Sequence, residues 1–373
     1  MGELMYPIRR LLLVSLAISV AGSSLLPGQR RKKKDVEPET QTLELPPDPP
    51  STLTVDSRKL AALFAPLSPK GLLSQQVRDG LRALIRSAQG AQIVKIRAMV
   101  AGTGDLRRVQ SIVSEVFSDR RQSLPVLSVV QVGALPLEGA QVQLEALTQE
   151  KKIVNPHGIV FVSGQDVSAE KPAAKVLPLV QKSLEQLRTG LAGAETLRVT
   201  CFLSSLDDIQ DVRAAVAAAF PGGSATFAQP QRSILTAMVE CEALGRLATD
   251  PAGPVEFVNP EGLRRSESYS QVARVNAPRL VLAGTQMAFR YQEADARLAF
   301  QRLEKSLGAA GAGLKNAVMV NSYPLSPQLA DLIRKVRFDF LDKSRPPAST
   351  MLPFEGLPGM DASFGLEVVA VIP

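Results

Sequence analysis

Residues 275–286 read VNAPRLVLAGTQ, and residues 154–165 read VNPHGIVFVSGQ. Each run places a turn-forming pair beside a short apolar stretch rich in Val, Leu and Ile, then ends on Gly and Gln. Composition of that kind marks strands flanked by turns. The offset of 121 residues is too long for a solenoid repeat and suits a repeated domain-sized unit.

The neighbouring sequence carries the repeat further. Residues 72–102, 176–205 and 296–326 each show helical apolar spacing, a Gly-bearing stop and a β-like run. Each is followed by a second amphipathic segment, at 105–117, 207–220 and 328–341. Strand-like runs then close each unit. AQVQLEALTQ (140–149), AMVECEALGR (237–246) and ASFGLEVVAVI (362–372) put Glu145, Glu242 and Glu367 at one shared position. The front of each unit reads as a two-strand hairpin, clear at 154–165 and 272–286 and weak at 53–68. The pattern predicts three tandem β-β-α-β-α-β-β units over 53–150, 151–250 and 254–373. Each would be an α+β layer with two helices on one face of a mixed sheet.

Composition sets limits on function. Apolar residues make up 45% of the 373, and aromatics only 5% with no Trp, so the cores must be aliphatic. Few aromatics argue against single-stranded nucleic-acid binding, which uses stacking platforms. The net charge is +7, but residues 1–34 carry seven cations against Glu3 and so account for +6 of it. The remaining chain, close to neutral, has no global attraction for phosphates. No nucleic-acid partner is expected, and a ribonuclease role is disfavoured for the same reason.

Arg9 and Arg10 precede the apolar run Leu11–Ala21, which is too short to span a bilayer but suits a signal sequence cut after Ala21. Residues 22–52, basic and then Pro-rich, read as a linker. The expectation is an exported, periplasmic or secreted protein. The basic run at 30–34 resists translocation and keeps open an uncleaved anchor over residues 11–26 as the only membrane attachment. Cys201 and Cys241 fall in strand-like runs. Two buried thiols are the preferred reading, with a disulfide as the alternative in an oxidising compartment. One His and two Cys give no zinc set, and no cofactor motif is present. His157, in NPHG, reads as an exposed turn residue.

This order of elements resembles the RidA/YjgF family of small enamine/imine deaminases. The likeness is strongest in SYSQVARVNAPRLVLAGTQ (268–286) and in the closing words PAST (347–350) and LEVVAV (366–371). VSGQ (162–165) and VECEAL (239–244) continue it in the second unit, and LEAL (144–147) in the first. The resemblance implies a chorismate-mutase-like layer. It also implies homotrimers with ligand clefts between subunits, so that three copies in one chain would form an intrachain pseudo-trimer, monomeric in solution.

The resemblance further implies an arginine that pairs with a substrate carboxylate. Leu127 and Ser349 stand at that position, each 18 residues before the strand glutamate, and neither can make the pair. In the second unit Arg232, in PQRS, is a candidate ligand anchor; only 10 residues before Glu242, it also reads as a solvated turn arginine. The resemblance places Glu145, Glu242 and Glu367 by the clefts as water-orienting catalytic residues. Their alternative is an acid facing solvent or an interface. Tyr269, Gln165 and Gln286 are candidate ligand contacts. The expected function is small-molecule binding without catalysis, or in altered form, in inter-domain clefts; the alternative is hydrolysis of a reactive enamine or imine.

Overall fold

A computed structural model describes residues 46–169, 175–234 and 236–373. The expected signal sequence, the possible anchor and most of the linker lie outside the described residues. In chain order the elements begin with β1 (Thr52–Val55), β2 (Leu60–Phe64), α1 (Leu73–Ser87), β3 (Gln92–Ala101), α2 (Arg107–Asp119), β4 (Val126–Val132) and β5 (Val142–Gln149). Next come β6 (Ile159–Ser168), α3 (Val176–Leu191), β7 (Glu195–Leu203), α4 (Ile209–Ala219), β8 (Ser224–Ala228), β9 (Met238–Arg246) and β10 (Val255–Val258). Then follow β11 (Val272–Val275), β12 (Leu280–Ala283), β13 (Gln286–Phe289), α5 (Glu293–Ala309), β14 (Ala317–Pro324), α6 (Pro327–Arg337), β15 (Ala348–Met351) and β16 (Ala362–Val371).

The strands form three mixed sheets. The first has order β2-β5-β3-β4, the second β10-β11-β6-β9-β7-β8, and the third β1-β12-β16-β14-β15 with β13 also on β16. Each sheet holds the same core: a strand, a helix, a strand, a helix, and two strands. Three sheets of one element order are consistent with repeated units.

The helices form where apolar spacing allows one buried stripe. In α1 the buried residues Leu73, Val77, Leu81 and Leu84 recur at three- and four-residue steps. The helix α6 is defined at its start by the Ser326 hydroxyl, which accepts from the Leu329 N–H, and by Pro327 in its first turn. Its last turn carries Arg334, Lys335 and Arg337, favourable at the negative end of a helix dipole.

One expectation about strand pairing is corrected. The front hairpins are not hairpins. β11 pairs with β6 in the second sheet, whereas β12 pairs with β1 and β16 in the third. Likewise β1 joins the third sheet and β2 the first. At the corresponding place before β6, the Val154 and Asn155 N–H groups donate to the Arg58 carbonyl, beside the first sheet. The chain therefore crosses between sheets where a hairpin would have turned back. Gly158 serves one of these crossings, with φ near +87° and no room for a Cβ against the Val275 carbonyl. The closing strands do not pair with each other. β4 lies parallel to β3, and β5 lies antiparallel between β3 and β2. Crossing strands cover sheet edges that would otherwise present unpaired backbone groups.

Alternation along the strands divides the core. In β5, Val142, Leu144 and Ala146 pack under α1 and α2, whereas Glu145 and Leu147 face the junction of the three sheets. The same alternation holds in β9 and β16. Apolar clusters occupy the junction on two levels. One includes Leu147, Leu244 and Val369, and the other Met99, Phe202 and Phe354.

Candidate functional site

The three strand glutamates meet at that junction. Glu145, Glu242 and Glu367 are at most 5% exposed and line one small cavity of about 30 Å³ with Lys95, Arg97 and Arg198. The Arg97 Nη2 lies 2.6 Å from Glu145 and 2.8 Å from Glu242. The Lys95 Nζ lies 3.1 Å from Glu367. Thr200 and Thr226 donate to Glu145, and Ser128 and Asn321 donate to Glu367. A lone buried carboxylate is costly, so an acid in these apolar strands demands paired cations. The structure thus brings the three predicted glutamates together, but ion-paired inside the junction rather than beside an open cleft.

Burial pushes the Glu367 carboxyl up, but Lys95 and Arg97 together outweigh it and hold it down at about 2. A depressed carboxyl stabilises the fold above its unfolded value near 4.5, and that stability is lost as pH falls toward 2. The expected loss attributable to Glu367 is about 3 kcal/mol. Acid titration of unfolding stability should show it, and Glu367→Gln should flatten the curve below pH 4.5.

An open cleft lies elsewhere, between the second and third sheets. It encloses about 560 Å³ and is lined by Asp166 and Glu240 on one side and by Tyr269, Arg334, Arg337 and Ser349 on the other. Arg264 and Arg265, on the loop before β11, complete its rim. Glu240 stands two residues before Glu242, so both point inward from β9. Asp166 lies opposite Glu240 in the ladder. Burial, and then the Asp166 and Glu242 charges, push the Glu240 carboxyl up to about 8. It faces the Met351 N–H across the cleft. A Cβ on Gly164 would collide with the Glu240 carboxyl, so glycine is what lets that side chain lie flat against β6.

Tyr269 is half-buried at this cleft, and burial followed by the Glu240 and Asp166 charges raises its hydroxyl. Gln165 is 4% exposed and supports the wall from behind, donating to the Gln271 Oε1 at 2.7 Å. Gln286 lies on the third sheet, where its amide donates to the Met287 carbonyl, away from the cleft. Arg232 is an exposed turn residue whose Nε lies 3.9 Å from Glu355. Register places Ala225, not Arg232, at the position matching the other two units: Leu127 pairs with Ile96, Ser349 with Val320, and Ala225 with Val199. His157 is exposed at its turn, 3.2 Å from Asp250.

Register also relates this cleft to another. Between the first and second sheets, a cavity of about 470 Å³ is lined by Gln143 and Ala225, the counterparts of Glu240 and Ser349. The remaining residues around it include Phe64, Leu67, Val216 and Phe227, which make it largely apolar. At the third such place Gly365 and Leu127 are the counterparts, and there the Thr285 N–H donates to the Leu127 carbonyl. The expectation of two free thiols is also corrected. Cys201 and Cys241 face each other across β7 and β9 and form a disulfide, with a Cα separation of 4.1 Å.

Solved structures provide a comparison. The Rid-family protein YyfB from Yersinia pestis is 19% identical, with 32% of this chain and 99% of that one covered at a TM-score of 0.30. Rv2704 of Mycobacterium tuberculosis, from the YjgF/YER057c/UK114 family, is 23% identical, with 32% and 99% covered at 0.22. The structural neighbours are RidA/YjgF family members. NMB1025 from Neisseria meningitidis, of the same family, is 14% identical over 32% and 95% of the two chains at 0.23. No family model and no curated protein matches this sequence. Among the described residues there is no cluster able to hold a metal, and no helix long and apolar enough to cross a membrane.

Sequence reasoning missed Glu240 and Arg337. A signal for the first was present, since VECEAL carries two acids on one strand face where the other closing strands have Gln143 and Gly365. Arg337 carried no such signal, because a basic residue in the last turn of an amphipathic helix reads as solvated.

Proposed function

We propose that this chain is an exported protein built from three tandem RidA/YjgF-like units, 53–150, 151–250 and 254–373, folded back as an intrachain pseudo-trimer. It binds a small polar molecule in the cleft between its second and third sheets. Strand exchange supports the closed arrangement, because each unit's leading segment lies against a neighbouring unit's sheet. The disulfide supports export, since such bonds persist in oxidising compartments.

The observation that carries the binding reading is the cleft of about 560 Å³, on which polar groups of both sheets converge. Its size lies within the range of small-molecule sites. Divergence of the other two places supports a binder in which one cleft has been kept for a polar ligand. A second reading, hydrolysis of a small enamine or imine, is favoured by Glu240. A carboxyl held near 8 exchanges protons near neutral pH. The ionised form of Glu240 would take a proton from the water adding to the iminium carbon and return it to the nitrogen as ammonia leaves.

One experiment tests both. Residues 46–373 are titrated calorimetrically with small amino acids, keto acids and their amides, and ammonia release is followed with an amino-acid-derived enamine. Saturable binding lost in Ser349→Trp, which fills the cleft, supports the binder. Absence of binding across the panel overturns it. Ammonia release above buffer, abolished by Glu240→Gln, would instead establish the hydrolase.

A further inference from the structure

We infer that the outer edge of β2 is a docking site for the C-terminal tail of a partner protein, which adds to the first sheet as one extended, apolar strand. The inference goes beyond the small-molecule reading, concerns another cleft and does not depend on it.

β2, β6 and β12 are counterparts in the three sheets. β11 covers the outer edge of β6, and β1 covers that of β12, but β2 ends its sheet. The Lys59 carbonyl accepts from the Glu150 N–H, and the Ala65 N–H donates to the Leu144 carbonyl. Odd-numbered residues of β2 therefore bond to β5, and Ala62 and Phe64 turn their backbone groups outward. One donor shows what is missing. The Ser163 N–H donates to the Gln271 carbonyl at 2.9 Å, and the Gly284 N–H donates to the Ser51 carbonyl at 3.0 Å. Phe64 follows Leu60 as Ser163 follows Ile159 and Gly284 follows Leu280. Among the described residues its N–H has no such partner.

Chain length explains the gap. Residues 247–271 separate β9 from β11, whereas residues 150–153 alone separate β5 from Val154, the counterpart of Val275 and Val55. β5 ends opposite Leu60, so so short a segment cannot run out to Phe64 and return. It closes only the near end of the edge. The Val154 N–H donates to the Arg58 carbonyl, and the Asn155 amide donates to the Leu60 carbonyl at 2.7 Å.

The open part has none of the devices that keep stray strands away, because LAALF carries no charge and no proline. β1 and β11 run antiparallel to the strands they cover. A tail running the same way along β2 would exchange backbone hydrogen bonds with Ala62 and Phe64. Its leading end enters the apolar cleft of about 470 Å³ beside Phe64, Leu137 and Phe227, so that end is apolar. Its trailing end meets Val154 and Asn155, which already fill the next place, so the strand has to stop there. A free C-terminus satisfies that limit, and the exposed Lys151 and Lys152 offer its carboxylate positive charge. β2 also lies against β7 and β8, which leaves room for a single strand rather than the folded sheet of a second copy.

The probe is a peptide copying residues 49–54, Pro-Pro-Ser-Thr-Leu-Thr, which carries the β1 pattern as far as the place opposite Ala61. Labelled at its N-terminus, it is titrated with the full-length chain by fluorescence polarisation as the free acid, as the C-terminal amide and with two alanines added at the C-terminus. The free acid should bind saturably. The amide should bind about threefold more weakly, a difference that shrinks with added salt, and the lengthened form more weakly still. Bound peptide should slow amide hydrogen exchange at Ala62 and Phe64. Ala62→Pro removes an outward N–H but no β2–β5 bond, so it should fold and bind at least about tenfold more weakly. Exchange in the wild type decides the matter even if that variant fails to fold. No binding of the free acid, equal binding of all three forms, unslowed exchange at both amides, or undiminished binding in folded Ala62→Pro overturns the inference. A dimer by light scattering, with both amides protected in the absence of peptide, also overturns it, because a second copy would then seal the edge. None of these results bears on the small-molecule reading.

Discussion

Arg97→Ala should lower the free energy of unfolding by about 3–5 kcal/mol, the cost of leaving buried carboxylates without their cation. A typical domain is stable by only about 5–15 kcal/mol, so the variant should be near its folding limit at body temperature. Arg97 is 3% exposed and is the group through which two sheets share charge. Its Nε and Nη2 hold Glu145 of the first sheet, and the same Nη2 holds Glu242 of the second. Its Nη2 also donates to the Thr200 hydroxyl at 3.1 Å. Arg198 is the other cation within reach, at 3.7 Å from Glu145 and 3.5 Å from Glu242, too far to replace those bonds. Urea unfolding followed by circular dichroism measures the effect. The triple variant Arg97→Met, Glu145→Gln, Glu242→Gln should recover most of the loss, because it removes the charges together. A loss below about 1 kcal/mol for Arg97→Ala would mean that the cluster is hydrated and the junction loosely packed.

The cluster explains what was legible in the sequence and what was not. Periodicity located the helices and strands, since 3.6- and 2-residue spacing is a local property. It also placed Glu145, Glu242 and Glu367 in register, as the structure has them. Their partners were not legible. Lys95, Arg97 and Arg198 lie in β3 and β7, inside runs that read as ordinary strands. Only the junction of three sheets decides that a cation in one faces acids in another. The hairpin reading failed for a related reason. A turn between two strand-like runs reports that the chain changes direction, and says nothing about which sheet the second run joins. At Asn276–Arg279 it joins a different one. Arg337 belongs to the same class, because its isolation depends on what surrounds the end of α6 in space.

The disulfide carries the second large expectation. Reducing Cys201–Cys241 should lower the free energy of unfolding by about 4 kcal/mol, the chain-entropy value for a loop of roughly 40 residues. The bridge ties β7 to β9 at the centre of the second sheet, one residue from both Glu240 and Glu242. Cutting it frees the intervening segment, including α4 and β8, only in the unfolded chain. The folded sheet keeps its ladder. Because both sulfurs are wholly buried, reductant acts when the sheet opens, so the reaction should be slow in buffer and fast in urea. Equilibrium unfolding with and without dithiothreitol, with thiols counted at each urea concentration, gives the difference. Unchanged midpoints with two thiols reacted would show that the bridge adds nothing beyond packing. The same chemistry bears on compartment. A reducing cytosol would hold a stability deficit of this size against the chain, whereas export removes it. Acid quenching of cells followed by alkylation in denaturant should therefore find both cysteines blocked. Two alkylated thiols in that experiment would place the folded protein in a reducing compartment and overturn the proposed export.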